Sequence, residues 1–348
     1  MYSTELTERE KSILRFVIHQ FILTANPVGS RNLSKKYNLG YSAATIRNIM
    51  ADLEESGFLG HPHTSAGRVP TDLGYRFYVN SLMEEPNLTQ TEVDFIESHF
   101  EKLNTETNEI IKITSGILSN LTKQLAYVSY PKLGNAILEK IQLVSLSASR
   151  LLVVISIRSG MIRTITLEIN SGYNKKNISV IQRILNERLA GLTFNEIKNS
   201  ITDRVRSVSD KELKPIIRVF LESVDEIFDN VKSSESSIIT GTKNLLHQPE
   251  FADPEKISSI IELIEDKEII IHIMDEKLEN NNGEVSVTIG SESKEEKLDD
   301  FSIIVKEYNV GQVLGSIGII GPKRMRYSHE IASVVQMAEV LSKVFNKK

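Results

Sequence analysis

Residues 42–48, "SAATIRN", set three small side chains, Ser42, Ala43 and Ala44, ahead of three that can hydrogen-bond, Thr45, Arg47 and Asn48. Small residues let a backbone come close to a surface. Arginine and asparagine can form paired hydrogen bonds to guanine and adenine edges, each good pair giving about 1–3 kcal/mol of discrimination. Upstream, Ser30, Arg31, Lys35 and Lys36 offer a hydroxyl and three cations to a phosphate backbone. Downstream, "HPHTSAGR" supplies His61, His63, Thr64 and Ser65 as neutral donors and Arg68 as a cation. The intervening Asp52, Glu54 and Glu55 repel phosphate, so only the first two turns of a helix begun at Ser42 can enter a groove. The positive end of that helix's dipole faces the same way. A module that contacts protein, with Arg47 and Asn48 solvated, is the competing reading. The HxH of His61 and His63 is short of a third metal ligand nearby, so phosphate approach is preferred to zinc.

The elements that must position these residues follow from spacing. Thr7 and Glu10 stand at capping-box distance, and Ile13, Leu14, Val17, Ile18, Phe21 and Ile22 recur at helical intervals, which predicts a helix over 7–23. "TANPVG" stops it, Ser30 is placed to cap a short second helix, and Ser42 a third, whose Ile46, Ile49, Met50 and Leu53 make one apolar face. Gly57 ends that helix. "GFLGHPHTSAGRVPT" and "YRFYVNSL" then read as a β-hairpin. Helix, helix, turn, helix, hairpin is the order of a winged helix-turn-helix, in which the second helix of the motif enters the major groove.

"MEEPNLTQTE" reads as a polar hinge. Beyond it, apolar positions from Val93 to Val128 predict one long helix or two, with a break at Gly116. "IQLVSLS", "RLLVVISIRS" and "MIRTITLEIN" predict a β-meander, residues 171–251 read as mainly helical, and "EVSVTIG", "FSIIVKEYNV" and "VLGSIGIIGP" resume strands before a last helix over 329–345. A sheet begun before the helices and finished after them implies an insertion in one α+β domain. "DEKLENNNGE" and "SESKEEKLDDF" read as solvated turns. The glycines of "GSIGIIGPKRM" fit neither a dinucleotide fingerprint nor a P-loop, and its Lys323, Arg324 and Arg326 read as a salt-bridged turn rather than an anion site.

Composition bounds the rest. The chain of 348 residues suits two or three domains, and 40% hydrophobic with 25% charged residues excludes wholesale disorder. Without cysteine, thiolate catalysis, disulfides and Cys-ligated zinc are excluded. No aliphatic run approaches the ~20 residues of a membrane span, and the acidic start is no secretory signal, so a cytoplasmic protein with no membrane contact is expected. Net charge is −5, yet residues 1–83 hold nine Lys/Arg against seven Asp/Glu. The remainder therefore carries −7, and the part that must meet a polyanion is the basic part. No nucleophile, base or carboxylate constellation stands out, so no enzyme and no cofactor is expected.

"PVGSRNLSKKYNLGYSAATIRNIMADLEESGFLGHPHTSAGRVPTDLGYRFYV" closely resembles the N-terminal region of the bacterial heat-inducible transcription repressor HrcA family, and "GSIGIIGPKRMRY" resembles its C-terminal signature. The resemblance implies an α+β multidomain protein: a winged helix-turn-helix over 1–83, a discontinuous GAF-like domain over 87–170 and 252–348, and an inserted dimerisation domain over 171–251. It further implies a homodimer on double-stranded DNA that carries an inverted-repeat operator, repressing chaperone operons, with the GroE chaperonin keeping the repressor active.

Overall fold

The computed structural model describes residues 6–62, 67–100, 107–169, 175–206, 208, 213–228, 237–251, 260–262, 264–265, 267–279 and 283–346. The architecture is mixed helix and sheet. Helices α1 (Glu8–Thr24), α2 (Ser30–Lys36) and α3 (Ala43–Glu55) lead into the short strands β1 (Leu59–Gly60) and β2 (Val69–Pro70), then α4 (Asp72–Phe77). Thr7 caps α1 in a full capping box with Glu10, and the left-handed Ala25 (φ 54°) closes it by donating its amide to the Phe21 carbonyl. Two expectations for this region are corrected. Gly29, not Ser30, occupies the N-cap of α2, and Ser30 is its first helical residue. "YRFYVNSL" is not a strand: Thr71 accepts the Gly74 amide and starts α4, which continues as a π-helical turn over Tyr78–Leu82.

Helices α5 (Gln90–Phe100) and α6 (Thr107–Thr122) follow, and Gly116 lies inside α6 without breaking it. A Cβ added there would meet nothing within 4 Å, so no close packing requires a glycine at this position. Strands β3 (Leu125–Ser129), β4 (Leu138–Ser145), β5 (Arg150–Ile157) and β6 (Ile162–Glu168) precede helices α7 (Lys175–Leu189), α8 (Phe194–Val205), α9 (Lys214–Glu222) and α10 (Val224–Phe228). After them come β7 (Ser237–Thr240), α11 (Thr242–Leu246), a helix over Lys267–Glu279, β8 (Ser286–Ile289), β9 (Phe301–Val310), β10 (Val313–Pro322) and the C-terminal helix Tyr327–Asn346. The segment "DEKLE" thus belongs to a helix rather than to a turn.

A five-stranded sheet runs in the order β7-β3-β10-β9-β8, and the meander makes a separate sheet, β4-β5-β6. The sheet resumed after the helices is therefore begun by β3, not by the meander. β3 is buried at all five positions, so it shows no alternation to read in sequence.

The chain divides into two compact units, Met1–Tyr127 with Ile239–Lys306 and Ile317–Met337, and Val128–Ile238 with Glu307–Ser316 and Ala338–Lys348. These do not follow the expected boundaries at 83, 170 and 251. In the first unit, Leu125, Tyr127, Phe251, Ile270, Met274, Phe301 and Ile320 share a core, with the rings of Phe251 and Phe301 stacked at 5.1 Å. In the second, the meander buries Ile141, Leu143, Val153 and Ile155 beside Ile181, Leu185, Phe194 and Phe228. The outer edge of β4 is closed by side-chain amides of α7: Ile141 N–H donates to Asn186 at 2.8 Å and Leu143 N–H to Gln182 at 2.8 Å.

Candidate nucleic-acid interface

Helix α3 is built to show one face. Ser42 Oγ accepts the Thr45 amide at 3.1 Å and pairs with the Thr45 hydroxyl at 2.9 Å, so both hydroxyls are spent on the cap. Ile46, Met50 and Leu53 are buried, and Leu33 of α2 is fully buried as well. Helical geometry then turns Ala44, Arg47, Asn48 and Ala51 outward together, at i, i+3, i+4 and i+7. All four are exposed. Two alanines flank the long side chains, which leaves room for a groove wall. Among the described residues the side chains of Arg31, Lys35, Arg47 and Asn48 make no hydrogen bond or ion pair, so their donors are available. Ser30 is half-buried at the start of α2. Lys36 is exposed but tied down, donating to Gln20 of α1 at 2.7 Å with its ammonium 5.7 Å from the Tyr37 ring.

The second half of α3 departs from expectation. Asp52 and Glu55 are exposed, whereas Glu54 is turned toward the hairpin. One Glu54 oxygen pairs with Arg68 Nη2 at 2.6 Å and the other with His61 Nδ1. His61 and Arg68 are therefore not free donors for phosphate: the carboxylate at the end of α3 holds both, and Arg68 Nε is buried without a partner among the described residues. Sequence reasoning allowed that Arg68 could pair with an acidic residue of its own domain but could not name Glu54, because the partners lie 7 and 14 positions away and meet only through the hairpin. His63, Thr64 and Ser65 lie outside the described residues.

The hairpin is pinned from three sides. Gly57 (φ 80°) makes the turn out of α3, a conformation that L side chains rarely adopt. Thr71 Oγ1 donates to the Gly57 carbonyl at 2.7 Å, and Leu59 and Gly60 pair with Pro70 and Val69. Arg68 and Val28 exchange backbone hydrogen bonds at 2.8 and 2.9 Å, joining the hairpin to the segment before α2. Gly67 sits against that same Val28 carbonyl, where a Cβ would stand 2.6 Å away.

The basic stretch after β10 is fully paired. Lys323 meets Asp72 at 2.6 Å, Arg324 pairs with Glu250, and Arg326 stands 3.9 Å from Glu330. Among the described residues no three metal-ligating side chains are grouped to hold an ion, and no helix is long and apolar enough to cross a membrane.

Comparisons with known proteins fit this layout. Residues 108–331 match the model of the HrcA protein C-terminal domain. The heat-inducible transcription repressor HrcA of Chlorobium phaeobacteroides (strain BS1) is 38% identical over 97% of this chain and 98% of its own. That of Chlorobium chlorochromatii (strain CaD3) is 40% identical over 97% of each. A crystal structure at 2.2 Å resolution, of a protein described only as hypothetical, shares the fold with a TM-score of 0.67, at 23% identity over 99% of both chains. The chain belongs to the HrcA family of heat-inducible transcription repressors.

Proposed function

We propose that this chain represses chaperone operons by binding, as a homodimer, an inverted-repeat operator in double-stranded DNA. The single observation that carries the reading is the exposed face of α3, with Arg47 and Asn48 between two alanines and no competing partner among the described residues. In this reading α2 and α3 form the helix-turn-helix of a winged helix over 1–83, and β1 and β2 are the wing. Arg47 and Asn48 read base edges; Arg31 and Lys35 hold phosphates, joined by Lys36 once it leaves Gln20, with Ser30, Ser42, Ala44 and Thr45 in close backbone approach. His63, Thr64 and Ser65 complete the wing tip. His61 and Arg68 shape the wing through Glu54 rather than contacting phosphate.

The remaining assignments are part of the same proposal. The five-stranded sheet and its helices form the GAF-like domain, and the meander with α7 to α10 forms the dimerising insertion. Exposed Val144, Leu146 and Ile162, at 45%, 52% and 66%, support a surface that a second copy covers. GroE, acting on the folded population of a cytoplasmic repressor, tunes how much of it is active.

A titration of the purified chain against an inverted-repeat duplex tests the core of this. Affinity is expected to fall steeply between about 50 and 200 mM salt, with a slope near −0.9 per phosphate contact. It is expected to vanish on a scrambled repeat. Binding that ignores salt or sequence would reject the reading. Adding GroE to thermally stressed protein is expected to raise the operator-competent fraction, measured by the same titration.

A further inference from the structure

Helix α4 has a second side, turned away from the hairpin. Asp72 and Arg76, one turn apart, reach residues more than 200 positions later in the chain, inside the same compact unit. The Asp72 carboxylate accepts the Ser291 amide at 3.1 Å, the Ser291 hydroxyl at 3.0 Å and the Lys323 ammonium at 2.6 Å. Those bonds, with Lys323, hold the Asp72 carboxyl below its ordinary range even though burial pushes the other way. Arg76 grips Glu292 with two nitrogens and donates to the Val287 carbonyl at 2.6 Å. A third tie joins α1: Arg324, only 14% exposed, donates to the Ile22 carbonyl at 2.6 Å while Glu250 balances its charge.

The seat is shaped for this. Gly290 has φ of +50°, and a Cβ there would overlap the Asp72 carboxylate. A bidentate arginine and a carboxylate with three donors are the stronger kinds of polar contact, and partial burial protects them from screening. Three ties at two separate elements also do what one cannot: they remove rotation about any single contact. None of Arg31, Lys35, Arg47 or Asn48 takes part, so the seam leaves the reading face uncovered.

We infer that this seam is a positioning device: Asp72, Arg76 and Arg324 fix the angle at which each copy presents α3, and so set the half-site spacing that a dimer accepts. The inference rests on the operator-binding reading above. A helix-turn-helix dimer must place its reading helices one turn of DNA, about 34 Å, or a multiple of it apart, and the short connection between Leu82 and α5 does not by itself fix that distance. An autoinhibitory clamp, in contrast, would restrain the reading face itself.

The test uses the full chain on four duplexes: the inverted repeat at native spacing, the repeat with its halves moved by about half a turn, a single half-site, and a scrambled control. The wild type is expected to lose at least about tenfold in affinity when the halves are moved, because simultaneous engagement is lost. Arg76→Glu is expected to bind the half-site as the wild type does, yet to accept both spacings within about threefold. The charge swap Arg76→Glu with Glu292→Arg is expected to restore the preference. An Arg76→Glu chain that keeps the wild-type spacing preference overturns the inference, as does one that binds the native repeat more tightly than the wild type. If Arg76→Glu also weakens half-site binding, the swap decides: recovery upholds the seam and no recovery overturns it. A wild type that cannot tell the repeat from the scrambled control rejects the operator reading itself.

Discussion

Glu54 divides the work of α3. Its carboxylate holds Arg68 and His61 at the base of the hairpin, so in the proposed reading the cations of the motif offered to DNA are Arg31, Lys35 and Arg47, with Lys36 lightly held. Glu54→Gln keeps the volume and removes the charge. It is expected to release Arg68 toward phosphate, steepening the salt dependence by about one unit while lowering preference for the operator. A salt series on operator and random duplex measures both; an unchanged slope would show that Arg68 is held by the hairpin backbone alone. Arg47→Ala should cost about 1–3 kcal/mol of discrimination at one base position, seen by comparing operator variants. Lys35→Ala should weaken all duplexes about equally and reduce the salt slope by about one.

At the scale of elements, α4 links what the hairpin needs to what the seam needs, and its packing leaves no slack. Gly74 lies against the Phe58 carbonyl, where an added Cβ would collide with backbone. Gly74→Ala is therefore expected to lower unfolding stability by about 1–3 kcal/mol in urea melts, although alanine is the better helix former. The elements whose periodicity is strong were legible before any coordinates: α1 and α3 by their 3.6-residue faces, and the meander by its alternation of buried and open positions. Two elements were not. α4 spans six residues, too few to show a period, and its aromatic content mimics a strand. β3, "LAYVS", is buried on both faces and reads as the end of the preceding helix. The exposed face of Arg47 and Asn48 was legible because it lies within one helix; that Arg68 chooses Glu54, and Lys323 Asp72, was not, because only tertiary folding brings these partners together.

Across the molecule, a His–carboxylate chain joins α5 to the C-terminal helix. His329 Nε2 meets Glu92 at 2.9 Å and Nδ1 meets Glu330 at 2.8 Å. Bonds to Glu330 and then Glu92 hold the His329 pKa above its ordinary 6.5, against the effect of burial. Glu92, bonded to Thr89 and His329, is held at about 2, while burial raises the pKa of Glu330. The stability that His329 contributes is complete below pH 6.5 and lost as pH rises through its raised folded value. Glu330 acts in the same direction, since its buried carboxylate is disfavoured as pH climbs. The contribution of Glu92 is present above pH 4.5 and lost as pH falls toward about 2. Urea midpoints are thus expected to peak between these limits and decline on the alkaline side. His329→Gln should be less stable than the wild type below pH 6.5 and converge with it as pH rises past the raised folded value of His329. Parallel curves would place the stabilisation elsewhere.

The amides of Asn186 and Gln182 along β4 set a limit on growth. A β-sheet adds strands wherever an edge offers unpaired backbone, and a sheet open at both edges can recruit copies without end. Here the Ile141 and Leu143 amides are already bonded to α7, so strand addition to the meander is confined to the side of β6. Along β4 the backbone donors that a further strand would need are already spent, so the amides of α7 act as a built-in stop to sheet growth on that side.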